Sequence, residues 1–496
     1  MSKDLSTVLS WFGIESQDLG IEVTGLCLDS RKIKPGQIFI ALNGTENHGI
    51  DFAYQVQRAG ASAILAESVD QDKAKPKARQ QALSITVIEI ENLASKLGEA
   101  ASHFYNQPSS KLDIVAITGT NGKTSSAWLM LQAWEKLGIK GAYIGTLGFG
   151  TLEKMQDQPN TTPNALTLQK MLAGFVEQGV THVSLEASSH GLDLGRLNGC
   201  QLVGTCMTNI SRDHLDFHKT MQDYANAKKK LFTQHKSDYS VINYDDEYGK
   251  KWLKDSTNNQ LSYSIAENKA DLSANSIQLM PGGIHFTLNW KNSSYDVSTE
   301  LLGHFNVENI LLVIGTLLQQ GYSIEKIIPL INEFEPVPGR MNRVQIRKDS
   351  PLVIVDYAHT PDALKQVLLA LKRHNARHIW CVFGCGGNRD KGKRPQMGHI
   401  AETLADKVIV TDDNPRYEDN VQIVEDILMG MNTKPTVIHD RKDAITHAIT
   451  HAHPDDLILV AGKGHEPYQL INGQYLDFDD VTVAKELLQE KLEKCA

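Results

Sequence analysis

Surplus positive charge is what this chain most plainly lacks. Its 50 Lys and Arg face 59 Asp and Glu, for a net charge of −9. That balance argues against a nucleic-acid binder whose affinity rests on a basic surface. A long apolar run is also missing. The stretch near Asn309–Leu318 is too short to cross a bilayer. Met1-Ser-Lys-Asp-Leu-Ser leads into no apolar region of the signal-peptide kind, so a cytoplasmic location without membrane insertion is expected. Cysteine is sparse and scattered, at 27, 200, 206, 381, 385 and 495. Cys381 and Cys385 have no second pair at zinc spacing, which points to buried or idle thiols in a reducing compartment. No fixed-period repeat and no low-complexity tract is present, and the short basic stretch Lys73–Arg79 reads as a solvated loop or helix start. What remains is 496 residues, 41% apolar and 22% charged. That is enough for about three domains at ~150 residues each.

The most informative segment begins with Asp113-Ile-Val-Ala-Ile-Thr118 and extends to Ser125. A short β-branched run reads as a buried strand. It leads into Gly119, Thr120, Asn121, Gly122, Lys123, Thr124 and Ser125, after which a helical pattern begins. Strand, glycine loop and helix start together make a phosphate cradle, in which backbone N–H groups and the positive helix end face the anion. Lys123 would reach the β- and γ-phosphates, and the Thr124 hydroxyl would help hold Mg²⁺. Ile117 stands where the longer phosphate-loop pattern has its first glycine.

Polar, proline-containing links divide the chain into three expected domains: 1–110, 111–334 and 335–496. In the first, Gln37–Leu42 and Ser62–Ala66 read as strands. In the second, Asp113–Thr118, His182–Glu186, Gly204–Thr208 and Tyr239–Asn243 alternate with helical patterns, which argues for a parallel α/β sheet. The alternation restarts with Leu352–Asp356, His378–Phe383, Lys407–Thr411 and Asp456–Val460.

Loops after these strands carry the candidate chemistry, as expected at the carboxyl ends of an open α/β sheet. Ser188, Ser189 and His190 follow Glu186. Asp213, His214, Asp216 and His218 follow the strand ending at Thr208. A carboxylate and a histidine close to a triphosphate suit Mg²⁺ ligation or water positioning. The same residues would serve equally as loop polars that cap the next helix. Taken alone, Lys228-Lys-Lys230 reads as a solvated helix face, and Asp413-Asn414-Pro415-Arg416 as an ordinary turn.

Many separate motifs occur in one order over essentially the whole chain. They are Gly119–Ser125, Asn160-Thr161-Thr162-Pro, Glu186-Ala-Ser188-Ser189-His190-Gly, Thr208-Asn209, Asp213-His214-Leu-Asp216 and Tyr224-Ala-Asn-Ala-Lys228. They continue as Gly303-His-Phe-Asn306-Val-Glu-Asn309, Pro338-Gly-Arg340, Asp356-Tyr-Ala-His359 and Ala461-Gly462-Lys-Gly-His-Glu466. In this the chain resembles the Mur ligase family, ATP-dependent ligases that add amino acids to the cell-wall precursor. Leu28-Asp-Ser30-Arg31 and Asp413-Asn414-Pro415-Arg416 resemble the members that add meso-diaminopimelate.

The resemblance implies a three-domain α/β fold, with a central parallel-sheet P-loop ATPase domain and a Rossmann-like C-terminal domain. It implies catalysis by Lys123, Glu186, His214 and Lys228, the last carbamylated. Mg²⁺ would be held by Thr124, Glu186, His214 and the Lys228 carbamate. ATP would meet Gly119 to Ser125, Asn309, Arg340 and Asp356. The UDP-N-acetylmuramoyl dipeptide would meet Leu28, Ser30, Thr45, Glu46, Asn47, Asn160, Thr161, Thr162, Ser188 and Arg196. Diaminopimelate would meet Arg389, Asp413, Asn414, Pro415, Arg416, Gly462 and Glu466. A monomer is expected. Competing readings are a lysine-adding ligase of the same family, which lacks the Arg416 cation, a folyl-polyglutamate-type ligase, and a non-catalytic nucleotide switch. The last two leave the Leu28-Asp-Ser30 segment or the C-terminal motifs unexplained.

Overall fold

The computed structural model describes every residue except 1, 18–19, 45–46, 69–82, 212, 256–258, 267–268, 281, 340, 348–349, 375, 465 and 496. The chain divides into two compact units, Met1–Ser262 and Tyr263–Ala496. Among the described residues no helix is long and apolar enough to cross a membrane.

The first unit holds an antiparallel pair, Lys3–Asp4 with Glu22–Val23, and two larger sheets. The N-terminal one is fully parallel, in the order Gly25–Cys27, Gln37–Ala41, Ala63–Glu67, Thr86–Ile90. Its strands are short and β-rich, and Ile38, Ile40, Ala63 and Leu65 pack on Leu93, Leu97, Ala101 and Phe104 of the helix Leu93–Phe104. The loops that carry Leu28, Ser30 and Asn47 leave the carboxyl ends of neighbouring strands in this sheet.

The second sheet positions the phosphate loop. Asp113–Thr118 lies between His182–Glu186 and Gly204–Met207, parallel to both. Gly141–Gly145 flanks the former and Tyr239–Asn243 the latter. Ile114, Val115, Ala116 and Ile117 are all inaccessible to solvent. A parallel strand covered on both faces is therefore continuously apolar, and this explains the β-branched run. The order places successive strands first to one side of Asp113–Thr118 and then to the other, so the carboxyl ends open a crevice. The expectation of an unbroken parallel alternation up to residue 334 needs correction. Gly148–Thr151 and Lys154–Gln156 pair antiparallel. Leu272–Met280, Gly283–Trp290 and Ser293–Thr299 in the second unit form an antiparallel meander. The connection from Trp290 to Ser293 is too short for a crossover and can join only antiparallel neighbours.

The second unit also holds the helix Phe305–Gln319, which is buried along most of its length, and a six-stranded sheet. The sheet order is Asn342–Val344, Leu352–Asp356, Leu457–Ala461, Ile379–Phe383, Lys407–Val410, Thr436–Val437, parallel except for the first pair. Side chains alternate across it: Ile354, Cys381, Phe383 and Leu459 face one core, while Val355, Trp380, Val382 and Val460 face the other. Cys381 and Cys385 are buried free thiols, as expected, and burial raises both to about 12. The Arg441 guanidinium is inaccessible to solvent and makes a two-pronged contact with Asp480, 2.8 Å to each carboxylate oxygen. This pair ties the starts of the helices Arg441–His451 and Asp480–Cys495 together.

Candidate active site

In the first unit the phosphate loop runs from Thr118 to the helix Lys123–Lys136. Gly119 has φ +147°, and a Cβ there would lie 1.8 Å from Thr208 Oγ1. Only glycine lets the strand end turn so closely against the neighbouring loop. The two loops are stitched together. Thr120 N–H donates to Asn209 O at 2.6 Å and Asn121 N–H to Asn209 Oδ1 at 3.1 Å. Thr208 Oγ1 donates to Asn121 O at 2.6 Å, and Ser211 N–H donates to Thr120 Oγ1 at 2.9 Å. Lys123 Nζ donates to Gly119 O and Thr120 O, at 3.0 and 2.9 Å.

Glu186 ends the adjacent strand with no exposed surface. Its Oε1 accepts from the Tyr143 hydroxyl in a short bond, and from Thr146 N–H at 3.0 Å. Its Oε2 accepts from Thr124 Oγ1 at 3.0 Å and Thr146 Oγ1 at 3.2 Å. These donors are all neutral. Burial and then the Glu186 charge hold the Tyr143 phenol well above its ordinary range, so Tyr143 stays a donor.

Lys228, on the helix Met221–Thr233, is 1% exposed, whereas Lys229 and Lys230 are not buried and Lys230 pairs with Asp193 at 2.6 Å. The solvated-face reading therefore holds for its neighbours and not for Lys228. Lys228 Nζ donates to Gly119 O at 2.6 Å, the carbonyl that Lys123 also meets, and lies 4.6 Å from the Tyr224 ring centroid. Burial, then the charge of Lys123, hold its amine well below the lysine range. His214 has φ +52° and begins the short helix Leu215–His218 without a side-chain cap bond. Its Nε2 is 3.4 Å from Asp213 Oδ2, and its ring packs edge-on to His190 at 4.8 Å between centroids.

Nearby, Thr161 Oγ1 is 3.2 Å from Thr146 Oγ1. Buried Thr162 donates to Glu186 O at 2.8 Å and accepts from Ser188 N–H at 3.0 Å. Arg196 donates to Thr162 O at 2.7 Å. Thus Thr161, Thr162, Ser188 and Arg196 form one bonded group behind Glu186, and Asn160 beside them is exposed. Thr45, Glu46 and Arg340 lie outside the described residues.

The second unit gathers the other group. Asp413, Asn414, Pro415 and Arg416 follow the strand Lys407–Val410, and Gly462 and Glu466 follow Leu457–Ala461. Asn414 Nδ2 donates to Glu466 Oε2 at 2.8 Å, and its Oδ1 accepts from Leu470 N–H at 2.8 Å. A Cβ on Gly462 would lie 2.4 Å from Asp413 Oδ2. Arg416, at φ +57°, donates to Gly387 O at 3.0 Å. A Cβ on Gly386 would lie 2.7 Å from Arg416 Nη1 and 3.8 Å from Arg389 Cγ, so both arginine side chains pass beside one glycine. Asp356 accepts from Met341 N–H at 2.7 Å and Ala358 N–H at 2.8 Å, and Asn309 donates to Asn306 at 2.9 Å.

Sequence reasoning missed Tyr143 and Thr146, which surround Glu186, and Lys463. Lys463 is inaccessible to solvent, 3.7 Å from Glu466 and bonded to Tyr468 O. Thr146 could have been found, since it follows a strand of the same parallel set. A buried tyrosine in an apolar strand gives no such signal.

Comparison with known proteins accounts for the arrangement. The family described as Mur ligase middle domain matches residues 117–317, that of the glutamate ligase domain 339–464, and that of the catalytic domain 22–105. A UDP-N-acetylmuramoyl-L-alanyl-D-glutamate–2,6-diaminopimelate ligase from Vibrio vulnificus is 41% identical over 473 residues, 94% of this chain and 95% of its own length. One of the same description from Haemophilus influenzae is 40% identical, over 95% and 97%. A solved structure with that description superposes at TM-score 0.75 and 36% identity, covering 99% of this chain and all of the other. A folylpolyglutamate synthase from Mycobacterium tuberculosis, at 17% identity, TM-score 0.58, and covering 74% of this chain and 91% of its own, shares the fold alone. With its phosphate loop, buried carboxylate and buried lysine set on this three-domain α/β fold, the chain belongs to the Mur ligase family.

Proposed function

We propose that this enzyme joins meso-2,6-diaminopimelate to the D-Glu γ-carboxylate of UDP-N-acetylmuramoyl-L-alanyl-D-glutamate, at the expense of ATP, in peptidoglycan precursor synthesis. The carboxylate attacks the γ-phosphate of ATP to give an acyl phosphate and ADP. The acceptor amine then attacks the acyl carbon, phosphate leaves, and an amide remains. Positioning and charge neutralisation supply most of the catalysis in such a transfer. Lys123 neutralises charge on the transferring phosphoryl group. The group formed by Thr161, Thr162, Ser188 and Arg196 orients the peptide. Arg416 and Arg389 receive the distal carboxylate of the acceptor, Glu466 its ammonium.

The residues fit magnesium. Glu186 is a buried carboxylate bonded only by neutral donors, with the hard hydroxyl oxygens of Thr124 and Thr146 beside it. Among the described residues no three His, Cys, Asp or Glu cluster for a metal. Mg²⁺ takes hard oxygen ligands and keeps water and substrate phosphates in its shell, so one carboxylate with two hydroxyls beside it suits it. When held there, magnesium would offset the negative charge of the transfer. Lys228 fits a carbamate. Burial and the Lys123 charge lower its amine and so favour the neutral form, whose lone pair can attack CO₂ with loss of a proton, turning a buried amine into an anion that would join His214 as a magnesium ligand. The observation that carries the reading is this pairing of a buried carboxylate and a buried, depressed lysine on the two sides of one phosphate loop.

The test is phosphate release with ATP, the UDP-sugar dipeptide and each acceptor in turn. Release with meso-diaminopimelate, and little with L-lysine, is expected. Release favouring L-lysine, or a folate with glutamate, would overturn the assignment, and none with any acceptor would favour a nucleotide switch.

A further inference from the structure

Glu186 is asymmetrically held. Its Oε1 is taken by the Tyr143 hydroxyl and the Thr146 amide; the amide has no lone pair to offer, and the phenol oxygen already accepts from Leu147 N–H, which leaves its proton for Glu186. The Thr146 amide is backbone. The Tyr143 ring is inaccessible to solvent, packs edge-on to Trp128 at 5.8 Å between centroids, and its oxygen also accepts from Leu147 N–H at 3.2 Å. Among the described residues the opposite oxygen, Oε2, meets the hydroxyls of Thr124 and Thr146. A hydroxyl rotates freely and can present a lone pair instead of its proton. The surroundings are built for this split. At Gly145 a Cβ would lie 2.2 Å from Glu186 Oε1 and 2.3 Å from the Tyr143 oxygen, so a side chain there would pry the pair apart.

We infer that Tyr143 is a positioning residue that, with the Thr146 amide, locks Glu186 into one-oxygen coordination and so fits the site to a small divalent cation. The inference rests on the proposed magnesium site. Mg²⁺ demands a compact octahedral shell, whereas Ca²⁺ readily takes both oxygens of a carboxylate. Blocking Oε1 removes the two-oxygen mode and disfavours the larger ion. Thr146 also carries this fixation toward the dipeptide loop through its 3.2 Å contact with Thr161.

The experiment measures metal binding directly. Mn²⁺ is titrated by electron paramagnetic resonance into the full-length enzyme with a non-hydrolysable ATP analogue, with Mg²⁺ and Ca²⁺ as competitors. Tyr143→Phe keeps the ring and removes the donor. It is expected to weaken Mg²⁺ by about 10- to 100-fold, the usual effect of losing a group that orients a ligand, and to weaken Ca²⁺ much less. Thr146→Val keeps the amide on Oε1 and should weaken both ions alike. An unchanged Mg²⁺ to Ca²⁺ ratio in Tyr143→Phe would overturn the inference. If Glu186→Gln binds Mn²⁺ as the wild type does, the metal reading itself fails, which is a separate result. Should Tyr143→Phe not fold, the wild type decides alone. The Mg²⁺-induced infrared difference spectrum, with Glu186→Gln as reference, should show the wide carboxylate splitting of one-oxygen binding. A narrow, two-oxygen splitting would refute it.

Discussion

Residue by residue, the site rests on two lysines that meet one carbonyl and do different work. In the proposed reaction Lys123 meets the phosphate. Lys123→Ala should lower kcat by about 10²-fold or more, because the lost charge acts most strongly in the transition state. Phosphate release at the wild-type rate would remove it from the reaction. Lys228 is the more buried of the two. Its folded pKa is depressed, so between that value and the unfolded lysine value the unfolded chain binds more protons than the folded one. Stability then rises with pH across that window. In CO₂-free buffer, Lys228→Met should raise the melting temperature at neutral pH, and the gain should shrink as pH approaches ~10.4. A gain independent of pH would mean that Lys228 is not held neutral. Without its carbamate the same variant should be nearly inactive. Sequence showed where Lys228 lies but not what it is, because adjacent lysines differ only in which way the helix turns them.

Among elements, loops matter more than strands. Expected strands such as Asp113–Thr118, His182–Glu186, Tyr239–Asn243 and Leu352–Asp356 coincide with those in the structure. Burial on both faces writes a continuous apolar run that is readable without context. The antiparallel hairpins were not legible, since Leu272–Met280 and Gly283–Trp290 mix polar and apolar residues in a way that other folds also allow. Arg441 and Asp480 escaped notice for another reason: 39 positions separate them, and each alone looks like a surface charge. Their pairing makes a prediction. Arg441→Met leaves Asp480 buried and unpaired, and should cost about 3–5 kcal/mol of stability in urea unfolding. Arg441→Met with Asp480→Leu should cost much less, because no charge is then stranded. Equal losses would place the contribution in packing.

For the whole molecule, the chain carries a net charge of −9 and takes three anionic or carboxylate-bearing substrates. Long-range repulsion opposes their approach, while on the proposed assignment Lys123, Arg389 and Arg416 would attract them at short range. Salt screens the first more than the second, since the Debye length is about 10 Å at 0.1 M. Raising NaCl from ~10 mM to ~0.1 M should therefore raise kcat/KM for the UDP-sugar dipeptide. A steep fall would mean that local cations dominate the field. Acceptor choice belongs to this scale too, because it is read as a ratio of complete reactions. Arg416→Ala should cost about 2–5 kcal/mol in kcat/KM for meso-diaminopimelate and far less for L-lysine. Equal loss for both would make Arg416 architectural. The three-domain order was legible because the motifs are many and collinear. Residues that only support the site, such as Tyr143 and Lys463, carry no such signature.

Asn414 clasps Glu466 with its amide nitrogen and Leu470 with its oxygen, and so ties together two loops and the hairpin Tyr468–Asp477. On the proposed acceptor assignment, replacing Arg416 alone would leave this clasp in place, so one substitution would remove the cation that meets the distal carboxylate without reshaping the loops around a different acceptor.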